Sequence, residues 1–243
     1  MSNDVQEACQ EFLKRAGVTF KNPRFLTTAF THRSYINEVH RDGGATSVTN
    51  LAGKHNERLE FLGDAVLELV VTDHLFMTYP AAHEGDLTAF RAALVNATFL
   101  GSVAERLGMN DCLLLSKGEA KDTGRARATI LANTFEAVVG ALYLDQGYDA
   151  VRTFIERHVL AETESVVKSG VWRDAKSSFQ EYAQATWGET PRYEVVSSVG
   201  PDHDKQFIVE VVVGQKRLAK GEGKSKQEAE QSAAERALKN NRA

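Results

Sequence analysis

Residues His55 to Leu67, HNERLEFLGDAVL, constrain the fold more than any other stretch. Glu57, Glu60 and Asp64 follow one another at spacings of three and four. At 3.6 residues per turn that sets three carboxylates in one stripe of a helix. Leu59, Leu62, Val66, Leu69 and Val70 continue an apolar pattern round the other side, so the helix buries one face and shows acids on another. Like charges at these spacings weaken a helix, and only Arg58 interrupts them. Such a stripe is either a solvated face or half of a cation site. A second acidic helix downstream and a nucleic-acid-like module after it favour the cation site.

The chain before that helix reads as two short amphipathic helices. Val5, Cys9, Phe12, Leu13 and Ala16 stand at helical spacing and Gly17 follows as a C-cap would. Asn22-Pro23 opens the next, with Phe25, Leu26, Ala29 and Phe30 apolar, and Thr31-His32-Arg33-Ser34 after it. His32 alone reads as a packed histidine. Residues 37–54 form a polar loop, long for a compact domain. Pro80 stops the acidic helix near Tyr79. The pattern then predicts one long helix from Leu87 to Leu107 with Asp86 as its N-cap and Glu84 just ahead. Residues 116–128 are a basic loop carrying Lys117, Lys121, Arg125 and Arg127.

Thr129 to Leu144 is the second acidic helix, with Asn133 and Glu136 one turn apart amid Ile130, Leu131, Phe135, Val138, Val139 and Leu142. A carboxylate on so apolar a helix needs a partner. Glu60, Asp64, Asn133 and Glu136 offer four oxygens from two helices, the donor type that hard divalent cations such as Mg²⁺ take. No histidine or cysteine cluster lies nearby, which argues against zinc. Water activation and charge stabilisation on a phosphodiester is the natural use of such a site. One more helix, Asp149 to about Lys168, completes an all-α first domain over 1–168, and 169–175 reads as linker.

From 176 to 243 the texture changes to α-β-β-β-α: a helix over Lys176–Thr186, β-rich runs at Tyr193–Val199, Gln206–Val213 and Gln215–Gly221, and a last helix from Ser225 to about Asn240. The Gly221-Glu-Gly-Lys-Ser-Lys226 turn is not a nucleotide-hydrolysing loop, because Leu218 stands where that pattern needs glycine. Residues 214–226 carry Lys216, Arg217, Lys220, Lys224 and Lys226 against Glu222 alone. Beside a helix N-terminus this is an anion site suited to nucleic-acid phosphates. The net charge of −4 argues weakly against a polyanion partner, but the first 173 residues hold 18 Lys+Arg against 22 Asp+Glu and the remainder 11 against 11. Any polyanion is therefore met by local patches.

The longest strongly apolar run, Ala137–Leu144, is too short to span a bilayer, and MSNDVQEACQ has no signal-peptide pattern. A cytoplasmic protein with no membrane contact is expected. Cys9 and Cys112 form no metal-type spacing and are expected as reduced, buried or half-buried thiols.

HNERLEFLGDAVLEL resembles the signature of the ribonuclease III family, and Thr31–Ser34, Glu84-Gly-Asp86 and LANTFEA (131–137) are similar to that family's other blocks in the same order. The second domain looks like a double-stranded-RNA-binding domain, by Phe179-Gln-Glu-Tyr182, Gly200-Pro-Asp-His203 before Phe207, and Gly221-x-Gly-x-Ser-Lys226 before Ala229. The resemblance covers nearly the whole chain. It implies an all-α endonuclease domain and a small α+β RNA-binding domain. The implied enzyme is a homodimer that hydrolyses both strands of double-stranded RNA with Mg²⁺, or Mn²⁺ as substitute, leaving 5′-phosphates and short 3′ overhangs. Its implied use is RNA processing, for example of ribosomal precursors and messengers.

Carried over by position, the resemblance implies Glu60, Asp64, Asn133 and Glu136 as metal ligands, with Asp64 and Glu136 catalytic. Glu57 and Glu84 match acids at the edge of the cleavage site, and Phe61 the aromatic that packs into the partner subunit. Gln180, His203, Lys224, Ser225 and Lys226 match positions that face RNA, read by shape across the minor groove. Three departures stand out. Asn133 replaces the more frequent Asp, and a neutral amide ligates without adding charge. Gln227 and Glu228 occupy positions often basic. The loop 37–54 is longer than usual. The alternative reading is a catalytically weak or inert RNA-binding regulator, with Asn133 as its basis.

Overall fold

Helix α1 (Asn3–Ala16) buries Cys9, Phe12 and Ala16, one apolar residue per turn, and ends at Gly17, whose φ of +66° suits glycine. In this computed structural model residues 3–41, 55–121, 123–169, 175–201 and 205–241 are described. Helix α2 (Pro23–Ala29) starts at Asn22, whose side chain accepts from the Arg24 amide, and Phe30 just beyond it meets Phe12 edge-on at 5.2 Å. Helix α3 spans Arg33–Arg41, so the first residues of the expected loop 37–54 are helical; residues 42–54 lie outside the described residues.

Helix α4 (Glu57–Thr78) buries Leu59, Val66, Leu67, Val70, Val71 and Leu75. The expected helix over 87–107 is two helices, α5 (Glu84–Val95) and α6 (Ala97–Arg106), bent by 42°. Asn96 makes the break. Its backbone is extended, its Oδ1 accepts from the Phe99 amide at 2.9 Å, and its Nδ2 donates to the Ala92 and Ala93 carbonyls, so one side chain caps both helices. Residue 83, not Asp86, holds the N-cap position of α5, and Asp86 lies in its first turn, where an acid meets the helix dipole.

Helix α7 (Arg125–Gln146) is buried along most of its length and packs on α4. The expected helix over 149–168 is broken into α8 (Tyr148–His158), a 3₁₀ turn at Leu160–Glu162, and α9 (Thr163–Ser169). Among the described residues no single helix is long and apolar enough to cross a membrane. The chain divides into two compact units, Met1–Trp172 and Arg173–Ala243.

In the second unit, α10 (Ala175–Trp187) precedes three antiparallel strands in sheet order β1 (Arg192–Val199), β2 (Gln206–Val213) and β3 (Lys216–Gly223), and α11 (Lys226–Asn241) closes it. Val211 and Val213 share a core with Phe179, Ala183, Ala233, Ala234 and Ala237. The alanines allow α11 to lie directly on the sheet: a methyl on Gly221 would overlap the Ala233 amide nitrogen. On the same strands Glu210 is buried between Arg217 and Lys220, its charge offset on both sides. So small a unit has little surplus stability. Phe179→Ala is expected to remove about 3–5 kcal/mol and unfold it. Hydrogen exchange should show lost protection over 175–241 and retained protection in α4 and α7.

Candidate active site

The amino end of α4 is held by the segment that contains Thr31–Ser34. The Asn56 amide donates to the Thr31 carbonyl at 2.9 Å, and the Asn56 carbonyl accepts from the Leu59 and Glu60 amides, starting the helix. Thr31 pairs in parallel with Leu114: the His32 amide donates to the Leu114 carbonyl at 3.1 Å and the Leu114 amide to the Phe30 carbonyl at 2.9 Å. Ser34 Oγ meets His32 Nδ1 at 2.8 Å and accepts from the Ser116 amide at 3.1 Å. Burial lowers the pKa of His32, and the charged groups that act on it are Glu119, Arg33, Glu57 and His55, not Asp64 or Glu136. His32 is part of the clasp.

Where α4 crosses α7, both helices present glycine. A methyl on Gly63 would overlap the Glu136 carbonyl oxygen and stand 2.8 Å from the Gly140 amide nitrogen. A methyl on Gly140 would overlap the Leu59 carbonyl oxygen. The two backbones therefore touch, as only residues without Cβ allow. This crossing sets Glu60 and Asp64 of α4 beside Asn133 and Glu136 of α7.

The four interact. The pKa of Glu60 is raised by burial first and then by Glu57 and Asp64, while the neighbouring Asn133 side chain acts in the other direction. Glu136 is pushed up to about 7, mainly by burial and further by Asp64, Glu60 and Glu68. The charged groups that act on Glu136 are thus all acids. Three carboxylates and one amide give an oxygen-only donor set, which suits a hard divalent cation, and a cation would offset the mutual repulsion that raises Glu136. Among the described residues no three His, Cys, Asp or Glu side chains stand close enough to hold a metal by themselves.

The remaining site residues divide. Glu57 adjoins the cluster through Glu60 and is engaged by Arg33 Nη1 at 3.1 Å and His55 Nδ1 at 3.6 Å. Glu84 accepts from Thr88 Oγ1 at 3.1 Å and is not among the groups acting on Glu60 or Glu136. Phe61 is 81% exposed, and Leu69, Phe76 and Met77 of the same helix are exposed too. Glu68, one turn past Asp64, also acts on Glu136 and was missed in the sequence reading; its i+4 spacing was the available signal.

In the second unit Gln180, Lys224, Ser225 and Lys226 are exposed; His203 lies outside the described residues. Ser225 Oγ accepts from the Glu228 amide at 3.1 Å, and Glu228 Oε2 accepts from the Lys224 amide at 2.7 Å. Ser225 thus caps α11, and the Glu228 carboxylate occupies a place where the sequence reading expected amides open to an anion.

Comparison with known proteins matches both units. The Ribonuclease-III-like family profile matches residues 22–163, and the double-stranded RNA binding motif matches 175–241. Ribonuclease 3 of Borreliella afzelii is 41% identical over 238 residues, covering 98% of this chain and 93% of that protein. Ribonuclease 3 of Geobacillus kaustophilus is 44% identical over 234 residues, covering 96% and 91%. Among solved structures, the nuclease domain of ribonuclease III from Campylobacter jejuni, described for flexibility in its dimer-forming region, is 34% identical with a TM-score of 0.53 and covers 63% of this chain and 96% of that one. With a family profile over more than half its length and such relatives spanning nearly all of it, the chain belongs to the ribonuclease III family.

Proposed function

We propose that this protein is a double-strand-specific endoribonuclease whose phosphodiester hydrolysis takes place at the Glu60–Asp64–Asn133–Glu136 cluster. The observation that carries this reading is Glu136 of α7, a half-buried acid whose pKa is pushed up to about 7 by burial first and then by Asp64, Glu60 and Glu68 of α4, across the glycine crossing. Mg²⁺ is the ion proposed for these hard oxygens, with Mn²⁺ as substitute. Glu60, Asp64, Asn133 and Glu136 would hold such an ion, which would supply Lewis-acid charge for phosphodiester hydrolysis.

The chain's own groups then have separate tasks. Asp64 and Glu136 are the proposed catalytic ligands, and Glu136 must release its proton before it can serve. Asn133 lies beside Glu60 and so puts an amide oxygen in the donor set although it adds no charge. That placement supports a working site over the inert RNA-binding alternative. Arg33 holds Glu57 at the edge.

Glu84 stands apart from the cluster within one chain, so its proposed place at the cleavage edge depends on a second copy. Phe61, with Leu69, Phe76 and Met77, supports a homodimer with Phe61 packing into the partner, because large apolar side chains left exposed on one helix favour burial. Two sites in a dimer would cut both strands and leave 5′-phosphates and short 3′ overhangs. Processing of structured RNA such as ribosomal precursors, in the cytoplasm, is the proposed setting.

The second unit is the proposed grip on the duplex, through Gln180 and His203 in the grooves and Lys224, Ser225 and Lys226 at phosphates. Ser225 already caps α11, so its contribution is to hold the lysines' loop. Lys224→Ala and Lys226→Ala are each expected to weaken duplex binding irrespective of sequence. Each should lower the slope of log K against log salt by about 1; a salt titration of duplex affinity measures this. Mapping the ends of the cut products tests the reaction itself: 5′-phosphates on both strands are expected, and 5′-hydroxyls would contradict hydrolysis of this kind.

A further inference from the structure

The only two cysteines, Cys9 and Cys112, are free thiols. Although far apart in sequence they share one hydrophobic core, Cys9 on α1 and Cys112 at the end of the 3₁₀ turn Met109–Cys112, against which α1 packs. The two thiols stand near enough to act on each other's ionisation, and Cys112 Sγ lies 3.8 Å from the Gly108 carbonyl oxygen.

Their surroundings differ. Cys112 is fully buried. Cys9 retains 7% exposure and lines an open cleft of about 920 Å³ bordered by Glu7, Lys14, Pro23 and Leu26. Contact with Cys112 lowers the pKa of Cys9, while contact with Cys9 and burial raise that of Cys112. Cys9 is thus the thiol that a small solute in the cleft meets first, and Cys112 lies further inside the core.

We propose that Cys9 and Cys112 form an intramolecular disulfide when a peroxide enters the cleft beside α1 and α2. The Cys9 thiolate attacks one peroxide oxygen, the O–O bond breaks, and hydroxide leaves with a proton as water, so Cys9 becomes a sulfenic acid. The Cys112 sulfur then attacks the Cys9 sulfur and the S–O bond breaks. The hydroxyl departs with the Cys112 proton as a second water. Two thiols are oxidised to one disulfide, and one peroxide is reduced to two waters. The bond ties α1, which precedes the region matched by the family profile, to the nuclease core. It also closes a loop long enough to restrict the unfolded chain strongly.

The test uses the full chain, reduced, freed of reductant and exposed to hydrogen peroxide, then unfolded with a thiol-blocking reagent present. Both thiols are expected to disappear together, with an intact mass lower by two hydrogens and faster migration on a non-reducing gel. The melting temperature should rise, and dithiothreitol should reverse every change. Cys112→Ala and Cys9→Ala, each checked for a native circular-dichroism spectrum, should show none of these effects, and Cys112→Ala should instead gain oxygen at Cys9. Oxygen uptake at Cys9 in the parent with Cys112 still free, bonds between chains, or no reaction in the folded protein would overturn the proposal.

Discussion

Glu136→Gln is expected to make the metal-free protein more stable while reducing cleavage of duplex RNA by about 10²–10³-fold or more. Folding raises the pKa of this carboxyl from its ordinary 4.5 to about 7, by burial and by Asp64, Glu60 and Glu68. Below pH 4.5 both the folded and the unfolded chain carry the proton and nothing is lost. Between 4.5 and 7 the unfolded chain ionises first, so stability falls as pH rises, and above 7 the whole penalty applies. Discounted for solvent screening at a group that is not fully enclosed, the gain on neutralising it is about 1–2 kcal/mol. For a chain of this size that is about 2–6 °C in melting temperature. Thermal denaturation at pH 8 should show the gain and at pH 4 should not. Added Mg²⁺ should stabilise the parent and much less the variant, since a ligand that binds only the folded state stabilises by mass action.

Gly140→Ala acts in the opposite direction on stability. The added methyl overlaps the Leu59 carbonyl oxygen and would stand 3.0 Å from the Gly63 amide nitrogen. Both obstacles are backbone, so no rotamer change relieves them and α4 must move off α7. Overpacking in a close-packed core costs about 1–3 kcal/mol, and more where nothing can yield; a loss of at least about 3 kcal/mol is expected. Whatever remains folded should be impaired, because a displacement of about 1 Å at a catalytic group can cost about 10²-fold in rate. Gly85→Ala is the control: nothing lies within 4 Å of its Cβ position at the start of α5. Chemical denaturation of the three proteins separates a general effect of removing glycine from one confined to the crossing.

The elements that carry the chemistry were legible because their patterns are strongly periodic. The acid stripe and apolar face of α4, the buried face of α7 and the β-branched run of β2 each point to one structure. Asn96 was not legible, since Phe90, Leu94 and Leu100 keep a continuous apolar pattern through it and only its side-chain geometry reveals two caps. The joining of Glu60, Asp64, Asn133 and Glu136 was suggested by their chemistry, but the means was not. Nothing in a one-dimensional pattern says that Gly63 faces the backbone at Gly140. Arg33 as the partner of Glu57 was likewise hidden, because that contact depends on the fold of the clasp. At Ser225 the sequence suggested an anion site, whereas the hydroxyl and Glu228 are occupied with the end of α11.

The central claim is that the α4–α7 cluster cuts RNA, and cleavage of a long labelled RNA duplex by the parent and Glu136→Gln, in Mg²⁺ and in Ca²⁺, tests it most directly. Cutting by the parent in Mg²⁺ but not Ca²⁺, with loss of cutting but not of duplex binding in the variant, is the expected result, and it would show Asn133 to be sufficient in the donor set. Tight binding by the parent with no cutting in either ion, restored by Asn133→Asp, would contradict it and leave a binding protein built on a disarmed nuclease.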